Sequence, residues 1–347
     1  MKTSTKKTRR VIRNATIGLL LIILICVFSG YNYYSSLKLP VDMNDSKDII
    51  INIPSGASTS KIANILRNNN LIRNELYFRY ISKQRAIGGK YQAGDYKLRR
   101  SMDIDQIIEK LFKGEVYAET AKFTIPEGFE LNQIIERLSS HSELNINKEK
   151  LLDIIENEDF DFKFLKGIPK GKNRLEGYLF PDTYEVTKDS SERDIILMML
   201  NRFDKVFKEE YYERANELHM SVQDIITLAS IIEREARVES DRPIISSVFY
   251  NRLEKEMLLQ SCATIQYALG ERKEKLTYKD LEIESSYNTY KNIGLPPTPI
   301  ASPGESSIKA ALYPDDTSYL YFVAKGDGSH VFTKTYKEHL RAKNGNN

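Results

Sequence analysis

Residues 220–236 read MSVQDIITLASIIEREA, an apolar run that carries Glu233 near its end. Ser221 with Asp224 three residues later is a capping-box pattern in which Asp replaces the usual Glu, so a helix is expected to start there. Val222, Ile226 and Ala229 precede Glu233 by eleven, seven and four residues and share its helical face. Glu235 is turned away by about 200° and belongs to the opposite side, so the two acids are not a catalytic pair. Two readings of Glu233 follow. It forms an i,i+4 ion pair with Arg237, a modest structural feature, or it is an acid. Apolar surroundings disfavour the charged form of a carboxyl, and a carboxylic acid kept neutral at physiological pH can donate a proton. Helix geometry leaves both open.

The following segments have the makings of a binding site. A second helix, IISSVFYNRLEKEM, is expected over 244–257, and LLQSCATIQYALG and SSYNTYKNIGLPPTPIASPG come after it. Gln260, Ser261, Thr264, Gln266, Tyr287, Asn288, Thr289 and Tyr290 offer hydroxyls, amides and aromatic faces with few charges, the inventory of a sugar or amide site. Four of the eleven prolines fall between Gly294 and Gly304 and predict a stiff extended wall. Ser302, Pro303 and Glu305 fit the cap, N1 and N3 positions of a short helix running to Leu312. SYLYFVAKGDGSHVFTK then reads as a hairpin turning at Gly326–Gly328.

The first half contains a repeat. Ile53, Leu98 and Ile125 each open a segment with an apolar residue nine positions on, Ile62, Ile107 or Ile134, and a leucine thirteen positions on, Leu66, Leu111 or Leu138. The pattern predicts a strand, a turn and a short amphipathic helix. Two copies carry Pro-x-Gly at the turn, and Ser58 and Ser101 sit where helix caps are wanted. IPSGASTSKIANIL resembles the opening of a LysM peptidoglycan-binding module. In RLEGYLFPDTYEV, residues 174–186, Tyr178, Phe180 and Tyr184 alternate as in a strand, and Glu176 and Asp182 are possible site groups.

The N-terminus carries Lys2, Lys6, Lys7, Arg9, Arg10 and Arg13, followed by the apolar run ATIGLLLIILICVFSGYNYY. This predicts an uncleaved single-pass anchor, with a cytoplasmic tail and everything after residue 35 outside the cell membrane. A cleaved signal peptide is the rival, but no Ala-x-Ala site is present. Setting those six charges aside turns a net charge of +3 into −3, so the main body has no broad basic surface and no nucleic-acid partner is expected. Cys26 and Cys262 lie on different sides of this boundary and cannot pair. The four histidines are scattered, without HExxH or CxxC spacing, so no metal or other cofactor is expected.

Taken in order, LASIIEREA, VFYNRL, LQSCATIQYALG, YNTYKNIGLPPTPIASPG and YLYFVAKGDGSHVF closely resemble the YceG-like endolytic murein transglycosylases (the MltG family). The resemblance covers most of residues 45–342. It implies that Glu233 is the catalytic acid, and that Asn251, Arg252, Gln260, Ser261, Thr264, Tyr287, Asn288 and Tyr290 form the substrate cleft. Many relatives have Asp-Pro where this chain has Cys262-Ala263. The expected architecture is α+β: a cytoplasmic tail over 1–14, a transmembrane helix over 15–35, a linker over 36–48, a LysM-like domain over 49–116 and a catalytic domain over 117–347. The implied reaction cleaves the MurNAc–GlcNAc β-1,4 bond of nascent peptidoglycan strands with one carboxyl and leaves 1,6-anhydro ends. Peptidoglycan synthases are implied partners. The alternatives are a noncatalytic wall-binding scaffold and a muramidase that uses water.

Overall fold

The computed structural model describes residues 2–345, with side chains from Thr16 onward. The six basic side chains of the expected tail lie outside the described residues. Helix α1, Lys2–Ser36, contains a stretch, Thr16–Ser36, with mean hydropathy 1.9 and no burial, long and apolar enough to cross a membrane. The chain divides into two compact units between Glu119 and Thr120.

In the first unit, β1 (Asp48–Ile53) is followed by α2 (Thr59–Asn68), α3 (Glu75–Gln84), β2 (Gly94–Arg99) and α4 (Ile104–Lys113). β1 and β2 pair antiparallel with Ile51 opposite Tyr96. The period of two along a strand explains why Ile51 and Ile53 are buried while Ile50 faces solvent. The repeat is built as expected: Ile62, Leu66, Ile107 and Leu111 are all buried. Ser58 caps α2 by accepting the Lys61 N–H at 3.2 Å. The cap of α4 is Asp103 rather than Ser101. A reciprocal box needs a residue three before Gln106, and Asp103 and Gln106 exchange both bonds, at 2.8 and 3.0 Å.

The second unit begins with β3 (Thr120–Thr124), α5 (Leu131–Ser139) and α6 (Lys148–Asn157), and β4 (Thr183–Thr187) returns to pair antiparallel with β3. The expected strand over 174–186 is confined to its end. Residues 172–178 are turns, and Tyr178 within them and Phe180 just after them are buried. Then come α7 (Glu192–Val206), α8 (Glu209–Glu217), α9 (Val222–Glu235), α10 (Arg242–Glu254), α11 (Cys262–Leu269), α12 (Tyr278–Leu281) and α13 (Glu305–Leu312). The expected hairpin, β5 (Tyr321–Ala324) with β6 (His330–Thr333), and α14 (Tyr336–Gly345) complete a mixed α+β architecture. The helix expected to begin at Pro303 starts two residues later with Gly304 as its cap. Ser302 instead exchanges backbone bonds with the turn at 128–129, which takes it out of the helix.

Aromatic rings hold α7 in place. Phe203 is fully buried, with ring centroids 4.5 Å from Phe164, 5.3 Å from Tyr178 and 5.7 Å from Phe207. α9 is buried from Ile225 to Ile232, as an all-round apolar helix must be. Its Ser221–Asp224 capping box is present as read from sequence. Ala310 and Ala311 are buried on α13, which packs against α9. Phe203→Ala is expected to lower the unfolding free energy of the second unit by about 3–5 kcal/mol. Ile50→Ser, on the exposed strand face, should change that of the first by no more than about 0.5 kcal/mol. Denaturant titration of the detergent-solubilised chain measures both, and equal effects would contradict this division between core and surface.

Candidate active site

Glu233 stands on the last turn of α9, and its side chain is only 7% exposed. The helix face below it is apolar, with Ile226 and Ala229 fully buried. The carboxyl itself reaches past that face into a polar seat. Oε2 accepts the Gly304 N–H at 3.0 Å and the Ser307 hydroxyl at 2.8 Å. Both donors belong to the cap and first turn of α13, where unpaired amides and the helix dipole favour a carboxylate. Arg242, at the start of α10, approaches both carboxyl oxygens at 3.5 Å. It also donates to Ser307 Oγ at 2.6 Å, which orients that hydroxyl toward Glu233.

Arg237 is not the ionic partner. α9 ends at Glu235, Ala236 is extended with φ −80° and ψ 125°, and the i,i+4 relation is lost before residue 237. The cation that takes its place, Arg242, comes from the next helix, and no local spacing announces it. Glu235 points away, as helix geometry requires. Its carboxyl accepts from Ser261 Oγ at 2.5 Å, and burial pushes it above the usual carboxylate range.

The expected binding residues divide by what their polar atoms do. Asn251 donates to the Thr317 and Tyr319 carbonyls, both at 2.9 Å, and Arg252 to those of Leu320 and Leu259 at 2.7 and 2.8 Å. Asn288 donates to the Leu281 and Ile283 carbonyls and accepts the Tyr290 N–H. Thr264 is fully buried against Thr289 at 2.9 Å. These four brace loops. Ser261 caps α11 and reaches Glu235. The Tyr290 hydroxyl meets Cys262 Sγ at 3.2 Å, and Gln260 is exposed with φ +52°. Tyr287 shares a 2.7 Å hydrogen bond with Thr298 and packs 4.9 Å from Tyr267.

Of the two acids in 174–186 read as possible site groups, Asp182 pairs with Arg202 at 2.6 Å. Glu176 is 2% exposed and accepts the Leu131 N–H at 2.9 Å and the Tyr267 hydroxyl at 3.1 Å. Burial raises its pKa to about 8 against the pull of those two bonds. Tyr267 also lines a groove of about 630 Å³ with Glu130, Gln133, Asn173 and Arg272. The sequence reading missed Arg242, Gly304 and Ser307, which build the seat, and Glu127, which packs beside it. For Glu127 alone there was a signal, the acid within a repeated Pro-x-Gly turn.

The molecule is thus an α+β protein with a preorganised buried glutamate in its second unit. The profile of the YceG-like family matches residues 51–345, and the chain belongs to that family. It is 44% identical over 326 residues to the endolytic murein transglycosylase of Bacillus subtilis (strain 168), covering 90% of this chain and 89% of that one. It is 31% identical over 338 residues to the protein of the same name from Streptococcus pneumoniae D39, covering 90% and 61%. The 2.6 Å crystal structure of a yceG-like protein from Listeria monocytogenes superposes with a TM-score of 0.57 at 40% identity, covering 85% of this chain and 99% of that one.

Glu176 makes the stability of the second unit depend on pH. Its folded-state pKa lies above the ordinary value of 4.5, so the folded form binds this proton more tightly than the unfolded chain. The resulting stability is complete below about pH 4.5 and is lost as pH rises toward 8, at up to about 1.4 kcal/mol per unit. Denaturant titrations across that window should show the slope in the wild type and a flatter one in Glu176→Gln.

Proposed function

We propose that this chain is a membrane-anchored endolytic peptidoglycan lytic transglycosylase with Glu233 as its acid and base. The observation that carries the reading is a buried carboxyl in a fixed hydrogen-bonded seat, in a chain that matches relatives of that name along nine-tenths of its length. Glu233 protonates the glycosidic oxygen as the MurNAc C1–O4 bond breaks. The 6-hydroxyl of the same sugar attacks C1, the C1–O6 bond forms, and the hydroxyl proton passes to Glu233. A second carboxylate, which glycosidases use as nucleophile or base, has no necessary part here, because intramolecular attack supplies the nucleophile. Gln260, Tyr287 and Tyr290 contact the glycan, while Asn251, Arg252, Ser261, Thr264 and Asn288 shape the loops that present them.

In this reading Thr16–Ser36 anchors the chain in the cell membrane with its N-terminus in the cytoplasm. The linker over 36–48 and the LysM-like domain over 49–116 carry the catalytic domain, 117–347, to nascent strands outside. Cutting there ends strand elongation, beside the synthases that extend the strands. The β1-α2-α3-β2 order of the first unit supports a glycan-holding role for it.

Purified sacculi treated with the wild type should release fragments whose ends are one water lighter than reducing ends. Glu233→Gln should retain binding to sacculi and lose cleavage by at least about a hundredfold. Fragments bearing only reducing ends would identify a muramidase, and no fragments at all a scaffold. Normal cleavage by Glu233→Gln would remove that residue from the mechanism.

A further inference from the structure

The turn Ile-Pro-x-Gly is built twice, over 53–56 and 125–128, and both glycines need positive φ, +69° and +73°. In the first copy x is Ser55, exposed, and the space around Gly56 is open. In the second copy x is Glu127, and Gly128 lies against the end of α9. A Cβ on Gly128 would come within 3.7 Å of Glu233 Cγ and 3.5 Å of Arg234 Cδ. Gly128 N donates to the Ser302 carbonyl and Ser302 N to that of Phe129, both at 2.8 Å. Arg234 donates to the Gly128 carbonyl at 3.0 Å. The turn is therefore strapped in place, with Glu127 brought to the start of α13.

Gly304 is a second, independent observation. Its backbone, φ −73° and ψ 167°, is open to any residue, so nothing in its conformation demands glycine. A Cβ there would overlap the Glu127 carboxyl. The place of a side chain at residue 304 is taken by that carboxyl, while the Gly304 N–H holds Glu233 Oε2. Two acids thus converge on one glycine. Burial first, and then the charge of Glu233, push the Glu127 carboxyl above its ordinary range, with Arg242 opposing and Glu239 assisting. Arg242 and Glu239 are the other charged groups facing it, from α10 and the turn before it. Glu127 is exposed, so it is the member of the pair that meets solvent.

We propose that Glu127 is a positioning residue for the chemistry of Glu233: its carboxyl, seated over Gly304, sets a second acid beside the one that the Gly304 N–H holds and opposes the pull of Arg242 on it. A like charge beside a carboxyl disfavours its ionised form. The proposal rests on the reading of Glu233 as proton donor. Glu233 gives its proton to O4 as C1–O4 breaks and recovers one from the 6-hydroxyl as C1–O6 forms, with Glu127 unchanged.

The test is the pH profile of fragment release from sacculi by the full-length detergent-solubilised wild type, Glu127→Gln and Gly304→Ala. The second variant keeps Glu127 and the residue 304 N–H but displaces the carboxyl. In both, the alkaline limb should move down by about one pH unit, with release at pH 7 falling about tenfold and recovering at lower pH. Both variants should melt with the wild type. An alkaline limb that stays in place in both, whether the rate is normal or uniformly reduced, overturns the proposal. A wild type yielding only reducing ends would refute the transglycosylase reading and leave the limb shift as the test of the pair.

Discussion

The organisation of the second unit turns on seating the Glu233 carboxyl among three helix ends. An acid taken out of water is costly unless its oxygens are paired and hydrogen-bonded. Here the end of α9 supplies the acid, the first turn of α13 supplies an N–H and a hydroxyl, and the start of α10 supplies Arg242. α10 follows α9 directly along the chain, but α13 comes far later, so the seat exists only when α13 is docked against them. Much of the packing serves that docking. Ala310 and Ala311 are buried where α13 meets α9. Ser230 on α9 accepts the Ile300 N–H at 3.0 Å and pins the proline-rich segment that leads into α13.

The acids around α9 are kept apart by the same geometry. Glu233 faces α13, Glu235 faces Ser261 at the cap of α11, and Glu176 lies under Tyr267 beside a separate groove. Glu127 comes to the side of Glu233 from a turn whose twin in the first unit carries a serine. A scaffold element used for packing in one place has become part of a site in another, through one side chain at its tip.

Local structure was legible wherever neighbouring residues decide it. The α9 capping box, the Pro-x-Gly turns, the repeat's buried Ile and Leu positions and the terminal hairpin all rest on bonds between residues a few positions apart. Errors arose where a distant segment competes for the same groups. Ser302 looked like a helix cap, but its backbone is claimed by the turn at 128–129. Tyr178 and Phe180 alternate like strand residues, yet β3 recruits only residues 183–187 as its partner, and these rings enter the core from turns. Arg237 sits at the right spacing from Glu233 for an ion pair, but the helix has ended.

By itself, the sequence determined that the chain has a long apolar N-terminal helix, a repeated strand-turn-helix unit and one glutamate facing inward near the end of a buried helix. It also carried, as ordered motifs, the resemblance that family membership bears out. The tertiary structure decided what surrounds that glutamate: Arg242, Gly304 and Ser307 as its seat, Glu127 as its neighbour, and Asn251, Arg252, Thr264 and Asn288 as braces for loops. The physical reason is range. Helix periodicity, caps and turn preferences act over a few residues and can be read locally, whereas the environment of a buried charge is assembled from segments up to 180 positions apart, and only folding brings them together.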